Sequence, residues 1–255
     1  MTLLRDVLVP LALPGLPEGV RAWYTRRGPE AAPGDPYSGF SLCGYTGDSP
    51  AHVDGCRAML CRGLGVSPSD LVMPRQTHSD RVAVVGGGPM PCLDGVDALV
   101  TDRPGIVIGV STADCVPVVL ADPAGRRIGV AHAGWRGALG GVVERTLEAM
   151  VGSGSRPEDV VVAFGPSICQ KCFEVGEEVA SQFPPEFVDR SGSRPHVSLQ
   201  GFIASRLRAY GVADSNIALF SPGLCTMCHP MEFFSARVSG VSSGRVALLA
   251  CLDAV

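Results

Sequence analysis

The chain has 255 residues, 46% of them apolar and 18% charged, which suits a folded chain with a sizeable core and excludes a disordered one. Its net charge is −4, so bulk electrostatics gives no reason to expect nucleic acid or an anionic membrane as partner. No apolar run reaches transmembrane length, and Pro10 and Pro14 interrupt the apolar stretch Val7–Leu16, which is not followed by a small-residue cleavage site. The ten cysteines are therefore expected to be cytoplasmic thiols, metal ligands or small buried groups rather than disulfides. All basic residues but Lys171 are arginines, which reads as codon bias before it reads as an anion site.

In chain order, Val20–Tyr24 reads as a strand and the Gly- and Pro-rich residues 27–38 as a loop. Asp48-Ser49-Pro50 signals a helix start, and the helical pattern runs to about Cys61, before Gly63 and Gly65. Strands are predicted at Asp70–Met73, Arg81–Val85, Ala98–Thr101, Ile106–Val110, Val116–Ala121, Arg127–Ala131 and Val160–Phe164. Helices are predicted at Leu139–Val151, Gly176–Phe183 and Leu199–Tyr210, and a surface loop at residues 184–196. Ile217–Phe220 and Arg245–Cys251 read as closing strands. Strands dominate the middle without βαβ alternation, so the expected class is α+β: mixed sheets flanked by helices, in one domain over residues 1–255.

Two apolar runs flank Asp122-Pro-Ala-Gly125, a type I turn signal. If Asp122 pairs with Gly125, Cys115 lies directly across from His132, on the same face. Pro117 removes a ladder donor and suggests an irregular or edge strand there. A thiol beside an imidazole can share a metal ion, or form a thiolate–imidazolium pair for nucleophilic attack. Asp114 precedes this cysteine, and Trp135 and Arg136 follow the histidine, an unusual setting for plain core. Gln76-Thr-His78 supplies a further imidazole between two predicted strands, where binding loops occur.

At these residues the chain resembles the YfiH-like family, labelled multicopper polyphenol oxidase or laccase domain and also read as purine nucleoside phosphorylases. The resemblance rests on Gln76-Thr-His-Ser-Asp-Arg-Val82, Asp97-Ala-Leu-Val-Thr101, Thr112-Ala-Asp-Cys-Val-Pro117 and His132-Ala-Gly-Trp-Arg-Gly137. Gly165-Pro-Ser-Ile168, Cys172-Phe-Glu-Val-Gly-Glu-Glu178, Phe233-Phe-Ser235 and Gly244-Arg245 complete it, from about Ser41 to the C-terminus. It implies a layered α/β sandwich related to the catalytic domain of cytotoxic necrotizing factor. It implies zinc on His78, Cys115 and His132, phosphorolysis of adenosine, inosine, guanosine and methylthioadenosine, and adenosine deamination. The implied partners are a purine nucleoside and phosphate, the implied state a monomer or homodimer. Two departures stand out: Cys56 replaces an expected Asn before Arg57, and Ala236-Arg237-Val238 replaces an aromatic residue and two arginines.

Arg57, Arg136 and Arg237 are candidates for phosphate, which guanidinium groups bind bidentately. Asp114 and Gln76 are candidates to orient a ligand histidine or a metal-bound group. Trp135 either stacks on a base or packs. Copper oxidase chemistry is disfavoured, because the five histidines include no His-x-His pair. A metal-independent Cys/His amidase or hydrolase acting on cell-wall precursors, and a non-catalytic metal-binding protein, are the other readings. A second cluster, Cys169-x-x-Cys172 and Cys225-x-x-Cys228 about fifty residues apart, reads as a second metal, a disulfide or pocket-lining thiols. Cys43, Cys61, Cys92 and Cys251 are assigned to packing.

Overall fold

The computed structural model describes residues 2–11, 19–86, 88–122, 124, 126–218 and 224–253. The chain opens with α1 (Thr2–Val7), β1 (Leu8–Pro10), β2 (Val20–Thr25) and α2 (Pro50–Leu64). Then come β3 (Leu71–Val72), β4 (Val82–Val85), β5 (Ala98–Thr101), β6 (Val107–Thr112), β7 (Val116–Asp122) and β8 (Arg127–Ala133). They are followed by α3 (Trp135–Gly140), α4 (Val142–Gly152), β9 (Val161–Phe164) and α5 (Glu177–Ala180). The chain closes with β10 (Val188–Asp189), β11 (His196–Val197), α6 (Leu199–Ala209), β12 (Ile217–Ala218), α7 (Ala236–Ser239) and β13 (Val246–Leu252).

Two mixed sheets carry the fold, as the α+β expectation requires. One has the order β1-β2-β13-β6-β3, the other β12-β9-β7-β8-β5-β4. They pack face to face through Ile108, Val110, Leu248 and Ala250 on one side and Leu99, Val119, Ile128 and Val130 on the other. The far face of the six-stranded sheet is covered by α4 and α6, through Val143, Leu147, Met150, Phe202 and Leu207. The far face of the five-stranded sheet meets α2 at Cys56 and Leu60, with Phe40 and Leu42. Both faces of β6, β7 and β13 are thus covered, which is why these strands are buried at every position instead of alternating.

Several boundaries differ from the sequence reading for local reasons. The expected helix Leu139–Val151 is two helices, α3 and α4, broken at Gly141, whose φ of 84° is left-handed. The first expected helix, α2, runs past Gly63 to Leu64, where left-handed Gly65 caps it. Gly63 lies inside this helix, and Leu4 occupies the space its Cβ would take. The expected helix Gly176–Phe183 is one turn, and residues 184–196 contain a two-residue ribbon, β10–β11, rather than loop alone. Residues 219–220 of the expected strand Ile217–Phe220 lie outside the described residues, as do Pro123 and Gly125 of the expected turn.

The hairpin register is the main correction. Val116 faces Ala133 and Pro117 faces His132, so the ladder ends at Asp122–Arg127 and is shifted by two residues from the expected one. Cys115 is therefore not directly opposite His132; it lies just before β7, diagonal to it. A two-residue shift preserves the face of every side chain, so both still point the same way. Nor is Pro117 on an edge: β7 lies between β8 and β9. Its missing donor falls beyond Phe164, where β9 has ended, and its carbonyl still accepts the Gly165 N–H at 2.9 Å.

Leu147 is fully buried between α4 and the six-stranded sheet. Leu147→Ala is expected to lower stability by about 2–5 kcal/mol. Urea unfolding followed by circular dichroism checks this.

Candidate metal centre

Three segments converge where the two sheets meet. His78 sits in the loop between β3 and β4, Cys115 in the bend that carries the chain from one sheet (β6) into the other (β7), and His132 near the end of β8. Their ligand atoms all lie within 4.8 Å of one another, and Cys115 Sγ is 3.7 Å from His78 Nε2. The His78 and His132 rings meet edge to face, with centroids 4.9 Å apart. A Cβ on Gly134 would stand 2.7 Å from His78 Cδ2 and 3.0 Å from Cys115 Sγ, so only glycine leaves the three side chains room to close.

The backbone is bent on both sides to achieve this. His78 (φ 62°) and Asp114 (φ 84°) are two of the three left-handed non-glycine residues among those described. The His78 turn is held by Asp97, a fully buried carboxylate at the start of β5. Asp97 accepts the backbone N–H groups of Thr77 (3.0 Å), His78 (3.0 Å) and Ser79 (2.8 Å) and the Ser79 hydroxyl. The same carboxylate takes the Nδ1–H of His132 at 2.7 Å, which leaves Nε2 of that ring for the cluster. Burial would raise the Asp97 pKa, but His132 and the surrounding N–H donors outweigh it and hold the pKa at about 2.

Cys115 and His132 form a polarised pair. Burial would push the Cys115 thiol up, yet His132 and His78 bring it down to about 6. Burial would lower His132, yet the Cys115 sulfur and Asp97 raise it to about 9. The sulfur is thus held as a thiolate, the form that binds metal or attacks an electrophile.

The remaining sequence candidates separate. Gln76 is buried and exchanges hydrogen bonds with the Ser111 backbone, donating to its carbonyl and accepting its N–H, both at 2.8 Å. Asp114 accepts the Thr226 hydroxyl at 2.7 Å and the backbone N–H of Arg237, at the start of α7, at 2.8 Å. Neither touches a ligand imidazole; that work falls to Asp97, which the sequence reading placed only within a motif. Arg237 lines the pocket with its guanidinium over the Phe173 ring, 5.4 Å from the centroid. Arg57 and Arg136 do not line it. Arg57 donates twice to the Leu42 carbonyl, and Arg136 lies over Trp135 at 4.1 Å. Trp135 packs against the core, one of its two expected roles, and also lines the pocket.

The pocket above the cluster has a volume of about 370 Å³ and adds Tyr45, Thr112, Phe173 and Arg245, which the sequence reading did not single out for this role. Burial, foremost, pushes Tyr45 up to about 12, so its hydroxyl stays protonated. Arg245 spends its Nη1 donors on Ser243 and Gly244 and its Nη2 on Val241.

A second Cys–His–Asp line runs along α2. Cys56 Sγ is 3.6 Å from His52 Nε2, whose Nδ1 is 2.9 Å from Asp48. Burial, then the carboxylates of Asp48 and Glu30, push the Cys56 thiol up, so this cysteine is held protonated and unreactive. All ten cysteines are free thiols; Cys43, Cys61 and Cys251 are buried as expected, but Cys92 is exposed rather than packed.

Replacing Asp97 by Asn keeps the shape and removes the charge that His132 and three N–H groups share. Asp97→Asn is expected to destabilise the fold by about 1–3 kcal/mol. It is also expected to weaken metal binding by about 10–100-fold. Denaturant titration and competition with a chromophoric chelator read the two effects separately.

A structure of YlmD from Geobacillus stearothermophilus superposes with a TM-score of 0.85 at 27% identity, covering 98% of this chain and all of that one. The Neisseria meningitidis protein NMB0706 gives 0.83 at 30% identity, covering 97% and 99%. In sequence, the chain is 43% identical over 244 residues to adenosine deaminase RL5 from an unknown prokaryotic organism, covering 89% of this chain and 92% of that protein. It is 39% identical over 224 residues to purine nucleoside phosphorylase ORF3 from Streptomyces griseus, covering 86% and 89%. Residues 21–253 match the model of the multi-copper polyphenol oxidoreductase laccase family, and the chain belongs to that family.

Proposed function

We propose that the chain is a zinc-dependent purine nucleoside phosphorylase with adenosine deaminase activity, acting as one catalytic unit. The observation that carries this reading is the His78–Cys115–His132 cluster at the floor of a pocket that also holds Arg237, whose guanidinium forms no ion pair among the described residues. The donor set fits zinc. Tetrahedral zinc at about 2.0–2.3 Å from nitrogen and sulfur places those atoms about 3.6 Å apart. The distance from Cys115 Sγ to His78 Nε2 is 3.7 Å. Three protein ligands leave one position open, the pattern of catalytic zinc. When bound, zinc supplies Lewis-acid polarisation and lowers the pKa of water toward about 7.

The chain's own residues supply the rest. Arg237 forms no ion pair among the described residues and is carried to the pocket by the Asp114 bond to its backbone, so it is the group offered to phosphate. Phe173 and Tyr45 offer flat apolar surface to a purine, and Trp135 closes the wall. Thr112, in the pocket lining, has its Oγ1 buried without a hydrogen-bond partner among the described residues. In phosphorolysis a phosphate oxygen bonds to the anomeric carbon as the glycosidic C–N bond breaks, and the purine leaves with the electron pair. In deamination water adds to the purine carbon bearing the amino group, and ammonia leaves. The nucleosides proposed are adenosine, inosine, guanosine and methylthioadenosine. The setting proposed is the cytoplasm, and the state a monomer or homodimer. No helix among the described residues is long and apolar enough to cross a membrane.

Copper oxidase chemistry has little to stand on despite the family's label. The cluster contains two imidazoles, whereas His52 pairs with Asp48 and His196 sits in the β10–β11 ribbon. A second reading is favoured by one observation, the Cys115 sulfur in one cluster with His132, whose ring Asp97 orients, an arrangement that suits metal-free acyl chemistry on an amide.

Purified protein given inosine or adenosine is expected to release free base only when inorganic phosphate is present. Chelation is expected to abolish both this and ammonia release. Base release that ignores phosphate defeats the phosphorylase reading, and full activity after complete chelation moves the assignment to Cys–His chemistry. Loss of one charged hydrogen-bond partner costs about 1.5–3 kcal/mol. Arg237→Ala is therefore expected to raise the KM for phosphate by about 10–100-fold with a smaller change in the nucleoside KM.

A further inference from the structure

Two Cys-x-x-Cys turns meet beside the pocket wall, on segments that the metal centre does not use. In the first, between β9 and α5, the N–H groups of Cys172 and Phe173 bond back to the Cys169 carbonyl at 3.0 and 2.9 Å. In the second, between β12 and α7, the His229 N–H bonds back to the Cys225 carbonyl at 3.1 Å. The backbone locks the turns together. Ser167 bridges to Cys225, its N–H donates to Leu224, and the Thr226 N–H donates to Ser167.

This docking brings all four sulfurs within 4.8 Å of one another, with Cys172 Sγ and Cys228 Sγ 3.4 Å apart. Four sulfurs around a tetrahedral zinc at about 2.3 Å lie about 3.8 Å from each other. None of the four is in a disulfide. The Cys169 N–H points at Cys225 Sγ at 3.3 Å, a donor aimed at a sulfur as in metal-bound thiolates. Lys171, the chain's one lysine, stands exposed inside the first turn, a positive charge beside a site whose four thiolates exceed the charge of a divalent cation by two.

We propose that Cys169, Cys172, Cys225 and Cys228 bind a second zinc ion, in an all-sulfur site separate from the His78–Cys115–His132 centre. Four protein ligands fill the tetrahedron and leave no position for water or substrate, so this ion is structural. Soft thiolates in tetrahedral array select zinc over hard cations. Its effect reaches the pocket through two short links. Phe173, next to Cys172, lines the pocket. Thr226, next to Cys225, donates its hydroxyl to Asp114 at 2.7 Å, and Asp114 holds the start of the helix that presents Arg237.

The test compares zinc content of the full chain, purified under reducing conditions, between wild type and Cys172→Ser/Cys228→Ser. The double variant is expected to hold one equivalent of zinc fewer than wild type. Cys115→Ser, which addresses the other centre, is expected to retain the all-sulfur ion. Loading Cys115→Ser with cobalt is expected to give the intense sulfur-to-metal charge-transfer bands of a four-thiolate site. Where the double variant does not fold, thiol alkylation of wild type decides. Cys169, Cys172, Cys225 and Cys228 are expected to resist modification until a chelator is added. Equal zinc in wild type and the folded double variant overturns the proposal. So does equal alkylation with and without chelator, or recovery of the four as two disulfides from protein kept reduced.

Discussion

The carboxylate of Asp97 is the interaction on which the site depends. It is fully buried, a position costly for a charge unless every lone pair is used. Here three consecutive N–H groups, a hydroxyl and an imidazole use them. The three N–H groups face one way only because the backbone at His78 adopts a left-handed turn, a conformation that costs energy for a non-glycine residue. The strain and the buried charge therefore offset each other: the turn exists to satisfy the carboxylate, and the carboxylate makes the turn tolerable. One side chain just before β5 thus sets the position of His78 and the tautomer of His132, which come from different segments.

The third ligand is placed by topology rather than by a hydrogen bond. The chain leaves the five-stranded sheet at Thr112 and enters the six-stranded sheet at Val116. It has three residues in which to change layers, and Asp114 takes the left-handed conformation that makes so short a crossing possible. Cys115 is the last residue of that crossing, so it sits where the two sheets part and a pocket can open. Asp114 keeps its bend because Thr226 and the Arg237 N–H bind its carboxylate while its carbonyl accepts the Ile168 N–H. The bend that aims the sulfur is in this way tied to the loops that form the opposite wall.

The chemistry-bearing types were legible in the sequence because cysteine, histidine and tryptophan are rare and their spacing is specific. The strands of the middle were legible because apolar runs bounded by Gly, Pro and Asp survive any tertiary context. Asp97 was not, since an aspartate before a strand is an ordinary turn residue and nothing local shows that it will be buried. The hairpin register was missed by two residues because it depends on how many residues the connection holds, and the longer connection still keeps Cys115 and His132 on one face. Face assignment is robust to an even shift; distance across the ladder is not. Arg57 and Arg136 show the limit of reading charge from sequence. Arginines next to the right motifs were spent on a carbonyl and a ring, and of the three candidates Arg237, at a helix start, is the one that lines the pocket.

The electrostatics of the pair Cys115–His132 explains how one constellation can suit different chemistry. A half-buried thiolate is stabilised by positive charge nearby, whether from a protonated imidazole or from a cation bound in its place. Asp97 raises the basicity of His132 in both cases, favouring the protonated ring when no cation is present and strengthening it as a ligand when one is. The choice between them is made by His78, which adds a further nitrogen 3.7 Å from the sulfur. A nucleophilic thiol needs one base; a second imidazole at ligand distance adds little to that role. It completes a three-donor set whose ligand atoms all lie within 4.8 Å of one another, the spacing a cation would use.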